Sequence, residues 1–127
     1  MQKDFDGWNL IKKKIDSKNV NLHYREREIW WCSLGLNVGS EEDGKGPSSL
    51  RPVVIIRGFN KNLCLVVPLS SSLKDNLYYF KLRSGEKEVS ALISHFKSLD
   101  TKRLRKRIGY LDKEYFAKLK QALKSLF

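Results

Sequence analysis

Arg51 and the run Ser70–Ser72 are the side chains in this sequence best suited to hold an anion. A guanidinium presents a planar fork of donors that matches a phosphate, and hydroxyls beside it add donors and acceptors. Between them lie two apolar, β-branched runs, Val53–Ile56 and Leu63–Leu69, joined by the short stretch Gly58–Asn62. If the runs pair as an antiparallel hairpin, the start of the first lies beside the end of the second. Arg51 and Ser70 then share one edge. Pro52 suits a strand entrance, because it fixes the backbone and has no N–H to give to a ladder. The residues alone leave a second reading open, in which Arg51 pairs with Glu41 or Glu42 and the serines merely end a strand.

Other catalytic devices are sparse. The chain carries no phosphate-binding P-loop, no Gly-rich dinucleotide fingerprint and no histidine in a Ser-His-Asp context. Cys32 and Cys64 sit apart in apolar surroundings, and His23 and His95 add no zinc-ligand spacing, so buried free thiols and no metal or other cofactor are expected. Tyr78, Tyr79 and Phe80 could stack on bases, although aromatics alternating in a strand more often cover a core.

The elements that must position these groups follow from periodicity. Phe5, Trp8, Ile11 and Ile15 recur at helical spacing, which predicts an amphipathic helix over residues 1–19 ahead of a single domain over 20–127. Glu28–Leu36 alternates as a strand, and Asn37–Ser49, with three glycines, a proline, three serines and three acids, reads as a long loop. After the central hairpin, Asn76–Leu82 and Val89–Ser94 form a second hairpin across a Gly-containing turn. Asp100 is expected to cap a short helical turn, followed by a brief strand around Arg107–Leu111. Asp112 caps a final helix with an apolar stripe of Tyr115, Phe116, Leu119, Ala122, Leu123 and Leu126. Five or six short strands with helices at the ends describe an α+β fold built on a strongly bent antiparallel sheet.

Charge adds a partner class. A formal net charge of +11 on 127 residues favours a polyanion, whether nucleic acid, an acidic protein or an anionic membrane. The excess is concentrated in Lys12–Lys14 and Lys102–Arg107, while Glu41, Glu42 and Asp43 form an acidic island. No apolar run approaches the roughly 18 residues that span a bilayer, and the first residues lack a signal core, so a cytoplasmic protein without a membrane partner is expected.

The stretch "EIWWCSLGLNVGSEEDGKGPSSLRPVVII" resembles the opening of the MazF/PemK toxin family: a tryptophan-bearing strand, a Gly-Ser-Glu loop, then Arg-Pro and a β-branched strand. "NLCLVVPLSSS" is similar to that family's next strand, and Ile93 to Leu123 resembles its last third. The resemblance implies a small SH3-like, strongly bent antiparallel barrel of the CcdB/PemK kind, with a C-terminal helix and here an extra N-terminal helix. It also implies the toxin of a type II toxin–antitoxin system, a metal-independent, sequence-selective endoribonuclease for single-stranded RNA. A homodimer and an acidic antitoxin partner are implied as well.

By resemblance, Arg51, Ser70 and Glu41 fall at catalytic positions, with Glu41 either a base or a group that positions Arg51. Ser71, together with Ser94, His95 and Lys97, falls at RNA-contacting positions. Lys102, Arg103 and Arg105 are further candidates for phosphate contacts, with solvent-facing charge or antitoxin docking as the other reading for each. The sequence departs from the family where Ser70 replaces a threonine, His95 a glutamine and Lys97 an arginine. Loss of the threonine methyl frees the side-chain rotamer, and a lysine offers a point charge where an arginine offers a fork. A same-fold RNA binder whose cleavage has lapsed, an inhibitor of a protein target and a membrane-surface protein using the Lys12–Lys14 helix are the competing readings.

Overall fold

The alternation of apolar and polar residues resolves into two buried faces of one antiparallel sheet. The computed structural model describes residues 23–34 and 50–127. The predicted N-terminal helix, the 37–49 loop and Glu41 within it lie outside the described residues. Seven strands are described: β1 (Glu28–Ser33), β2 (Leu50–Asn60), β3 (Leu63–Ser70), β4 (Tyr79–Ser84), β5 (Lys87–Leu92), β6 (Lys97–Asp100) and β7 (Leu104–Tyr110). One helix, α1 (Lys113–Lys124), closes the chain. The spatial order is β4-β5-β3-β2-β1-β7, with β6 pairing to β3 off that path.

The strands on the two hairpins came out longer or later than periodicity suggests. β2 runs on through Gly58, Phe59 and Asn60, so the turn shrinks to Lys61–Asn62, and two register shifts absorb the extra length. Asn60 Oδ1 accepts from the Asn62 N–H at 2.7 Å and fixes that tight turn. β4 starts at Tyr79 and not Asn76, because Asn76 turns the chain first. Its side-chain oxygen accepts from Tyr78 N at 2.8 Å and its carbonyl from Tyr79 N at 3.0 Å. The expected strand count was low by the four-residue β6. "KSLD" has a single buried apolar residue, Leu99, and too little alternation to stand out.

One face of the sheet carries Ile29, Val54, Ile56, Val67, Leu69, Leu82, Ala91 and Ile93, and α1 lies over it through Phe116, Leu119 and Leu123. Spacing of three and four residues puts those three on one side of the helix. Asp112 caps α1 by accepting from Tyr115 N at 2.8 Å, and Asp100 caps the 3-10 turn Thr101–Arg103 by accepting from Lys102 N at 2.9 Å. The other face gathers Trp30, Cys32, Leu34, Val53, Ile55, Cys64, Val66, Leu99 and Leu104. Glu28 locks β1 to β7: its carboxylate accepts from Arg25 N, Trp30 Nε1 and Arg107 Nη1 at 2.8, 3.0 and 3.1 Å. Among the described residues no helix is long and apolar enough to cross a membrane.

Candidate functional site

Strand register decides which polar groups meet. β1 and β2 pair Cys32 with Arg51, and β2 and β3 pair Val53 with Pro68. Carried two residues further, the second register sets Arg51 across from Ser70. β3 and β5 pair Ser70 with Ser90, and β5 and β4 pair Ser90 with Lys81. Directly opposed residues of an antiparallel pair present their side chains to the same face. Cys32 and Arg51 thus share one face, Ser70, Ser90 and Lys81 form a row across three strands, and the Arg51 bond to the Leu69 carbonyl brings the two sets together.

Arg51 is 7% exposed, a strong burial for a guanidinium. Its Nη1 donates to the carbonyl of Leu69 at 3.3 Å, which sets the guanidinium against the peptide leading into Ser70. Ser70 is half-buried, and its Oγ accepts from Ser72 N at 3.1 Å. That bond leaves the Ser70 proton available to donate. The sheet thus gathers a buried cation and a hydroxyl at one strand end, and together they are suited to bind an anionic oxygen.

Three of the basic residues lie near Cys32. Burial pushes the Cys32 thiol up to about 12, helped by Cys64 and opposed by Arg103, Lys97 and Arg105. Those three cations therefore lie within electrostatic reach of the residue that pairs with Arg51. Lys97 opens β6 opposite Val66, and Arg103 Nη1 donates to the carbonyl of Ser33 at 3.2 Å. Arg105 is exposed on β7. Lys102 sits on the 3-10 turn beside Arg103. Ser94 and His95 lie on a second 3-10 turn, Ile93–His95, with the Ser94 hydroxyl 3.2 Å from His95 Nδ1. Ser71 is exposed just past β3. Among the described residues no group of three or more His, Cys, Asp or Glu side chains is close enough to hold a metal ion.

Sequence reasoning passed over Ser90. It is fully buried inside β5, and its hydroxyl has no hydrogen-bond partner among the described residues. The signal was a serine in a strand whose following residues, Ala91, Leu92 and Ile93, are all apolar.

A groove of about 450 Å3 lies elsewhere, lined by His23, Tyr24, Arg25, Glu26, Gly58, Asn60 and Lys61. It sits at the turn end of the β2–β3 hairpin, opposite Arg51 and Ser70. The buried Thr101 and Glu28 bond to its lining residues Lys61 and Arg25.

Residues 25–127 match the family model described as PemK-like, MazF-like toxin of type II toxin-antitoxin system. The chain belongs to that family. No curated sequence matches the chain. Among solved structures it is similar to MazF from Deinococcus radiodurans, with a TM-score of 0.68 at 18% identity over 83% of this chain and 96% of that one. It is similar also to the Mycobacterium tuberculosis toxin MazF-mt6, with a TM-score of 0.59 at 15% identity over 78% and 94%. A third likeness is to an endoribonuclease in complex with its cognate antitoxin from Mycobacterial species, with a TM-score of 0.63 at 12% identity over 81% and 93%. At these identities the likeness is one of fold: this MazF-like chain has the seven-stranded antiparallel sheet and C-terminal helix of those proteins.

Proposed function

We propose that this MazF-like chain is a toxin that cuts single-stranded RNA at selected sequences without a metal ion. The observation that carries the reading is the Arg51–Ser70 edge, a buried guanidinium braced on the Leu69 carbonyl next to a hydroxyl with a proton to give. The ribose 2′-oxygen attacks the adjacent phosphorus and the bond to the 5′-oxygen breaks, leaving a 2′,3′-cyclic phosphate and a 5′-hydroxyl. The 2′-hydroxyl proton passes to a base, for which Glu41 is the candidate, and the departing 5′-oxygen takes a proton from Arg51. Arg51 stabilises the charge that gathers on the phosphorane oxygens, and Ser70 donates to one of them. Fixed donors of this kind act most strongly in a dry site, where they need no reorganisation.

Lys97, Arg103 and Arg105 would lead the RNA backbone to this edge, with Ser71, Ser94, His95 and Lys102 at its margins. Such binding weakens as salt rises, because each neutralised phosphate releases counterions. The net charge of +11 also fits an acidic antitoxin as the controlling partner. Two of the similar structures, the mycobacterial endoribonuclease with its cognate antitoxin and MazE–MazF from Deinococcus radiodurans, are complexes of that sort. A homodimer in the cytoplasm completes the proposal.

The test is incubation of the purified protein with a long single-stranded RNA in excess EDTA, followed by mapping of the new ends. Discrete cuts with 5′-hydroxyl termini are expected. RNA that is retarded but intact would overturn cleavage in favour of binding alone, and RNA neither cut nor bound would point to a protein target.

A further inference from the structure

We infer that Ser90 is a positioning residue for Ser70, holding its hydroxyl toward the phosphate from behind. The inference rests on the cleavage reading above for its consequence, and on the β3–β5 pairing for its geometry. Ser90 is 0% exposed and its Oγ has no hydrogen-bond partner among the described residues. A buried hydroxyl left in that state is costly, and an alanine or valine would remove the cost. Ala91 and Leu92, the next residues of β5, are as fully buried and are apolar.

Ser90 pairs directly with Ser70. Opposed residues have Cβ atoms about 4.5–5.5 Å apart, a gap that two Cβ–Oγ bonds turned toward each other reduce to hydrogen-bond length. The count of donors and acceptors then closes. A hydroxyl has one proton and two acceptor positions. Ser70 Oγ fills one acceptor position with the Ser72 N–H. The two hydroxyls are not bonded as they stand; a turn of Ser90 χ1 that lets it donate into the second position leaves only the proton of Ser70 to be used. Ser90 itself is sealed from solvent and touches no substrate. A serine at position 70 lacks the β-methyl that would stiffen χ1, so a second anchor does the work a branched side chain would do.

The experiment compares wild type with Ser90→Ala, Ser90→Val, Ser70→Thr and the double variant Ser90→Ala/Ser70→Thr. Single-turnover cleavage, RNA affinity, thermal midpoint and the Ser70 χ1 scalar couplings are measured for each. Ser90→Ala is expected to slow the chemical step on the order of tenfold, the scale of one hydrogen bond, with RNA affinity unchanged. Its thermal midpoint should fall only slightly, by the loss of that one bond. Threonine at position 70 should recover the rate in the Ser90→Ala background, because the methyl restores the lost rotamer preference. Ser90→Val repeats the test if the alanine variant folds poorly.

A wild-type rate in Ser90→Ala overturns the inference, as does a rate that falls in step with stability or that Ser70→Thr fails to recover. If wild type cuts no RNA, the cleavage reading fails separately, and the couplings decide the positioning. A single Ser70 rotamer in wild type that averages in Ser90→Ala supports it, and identical couplings in the two proteins overturn it.

Discussion

The two ends of the β2–β3 hairpin are made of similar residues and do opposite things with them. At the turn end, Tyr24 shares its one phenol proton between the carbonyls of Asn60 and Leu63, Asn60 Oδ1 accepts from Asn62 N, and Thr101 Oγ1 donates to the Lys61 carbonyl. Burial pushes the Tyr24 phenol up, with Cys64 and Glu26 adding to it, so it stays a donor at neutral pH. Every one of these bonds closes a backbone group that the turn would otherwise leave open. At the other end the same sheet buries a guanidinium beside a half-buried hydroxyl, with Arg51 Nη1 donating to the Leu69 carbonyl and Ser70 Oγ accepting from Ser72 N. The groove of about 450 Å3 lies at the turn end, away from the Arg51–Ser70 edge.

That contrast can be broken by substitutions at each end. Arg51→Ala should lower RNA cleavage by about a hundredfold or more, the usual cost of one preorganised donor, while circular dichroism and the thermal midpoint report a folded protein. Ser70→Ala should fall nearly as far in the same assay. At the turn end, a Cβ on Gly58 would sit 2.8 Å from Tyr24 Oη and 2.9 Å from its ring. Gly58→Ala should therefore lose about 1–3 kcal/mol in urea unfolding, with cleavage per folded molecule unchanged. If cleavage fell instead, the separation of the two ends would be wrong.

Tyr24→Phe removes the one phenol proton shared between two backbone carbonyls and should cost about 0.5–1.5 kcal/mol by the same measurement. The smallest signal concerns the thiols between the ends. Burial holds Cys32 and Cys64 up at about 12, so both stay protonated near neutral pH. A thiol reagent at pH 7.5 should leave the folded protein unlabelled and modify both only after denaturation.

Much of this layout was readable before any coordinates. The β-branched runs flanking Gly58–Asn62 have no better arrangement than a hairpin, and a hairpin of that length returns Ser70 to Arg51. The helix stripe and the Asp100 and Asp112 caps were equally plain, since each rests on a local pattern of a few residues. β6 was not readable, because its place is set by β3 across thirty-odd positions and its four residues carry no period of their own. The same holds for Ser90. Its meaning comes from the residue opposite, and a single serine in an apolar strand says nothing about what it faces. The share of the candidate site that rests on Glu41 lies outside the described residues.

The edge of β3 changes owner part-way along. β6 holds it from Leu63 to Val66, β5 holds it at Leu69 and Ser70, and Val67–Pro68 lies at the handover between them. The β4–β5 hairpin thus joins β3 by a seam only two rungs long. Changes in that hairpin can retune the spacing behind Ser70 while the larger part of the sheet keeps its pairing. Variation can therefore reach this edge at little risk to the scaffold.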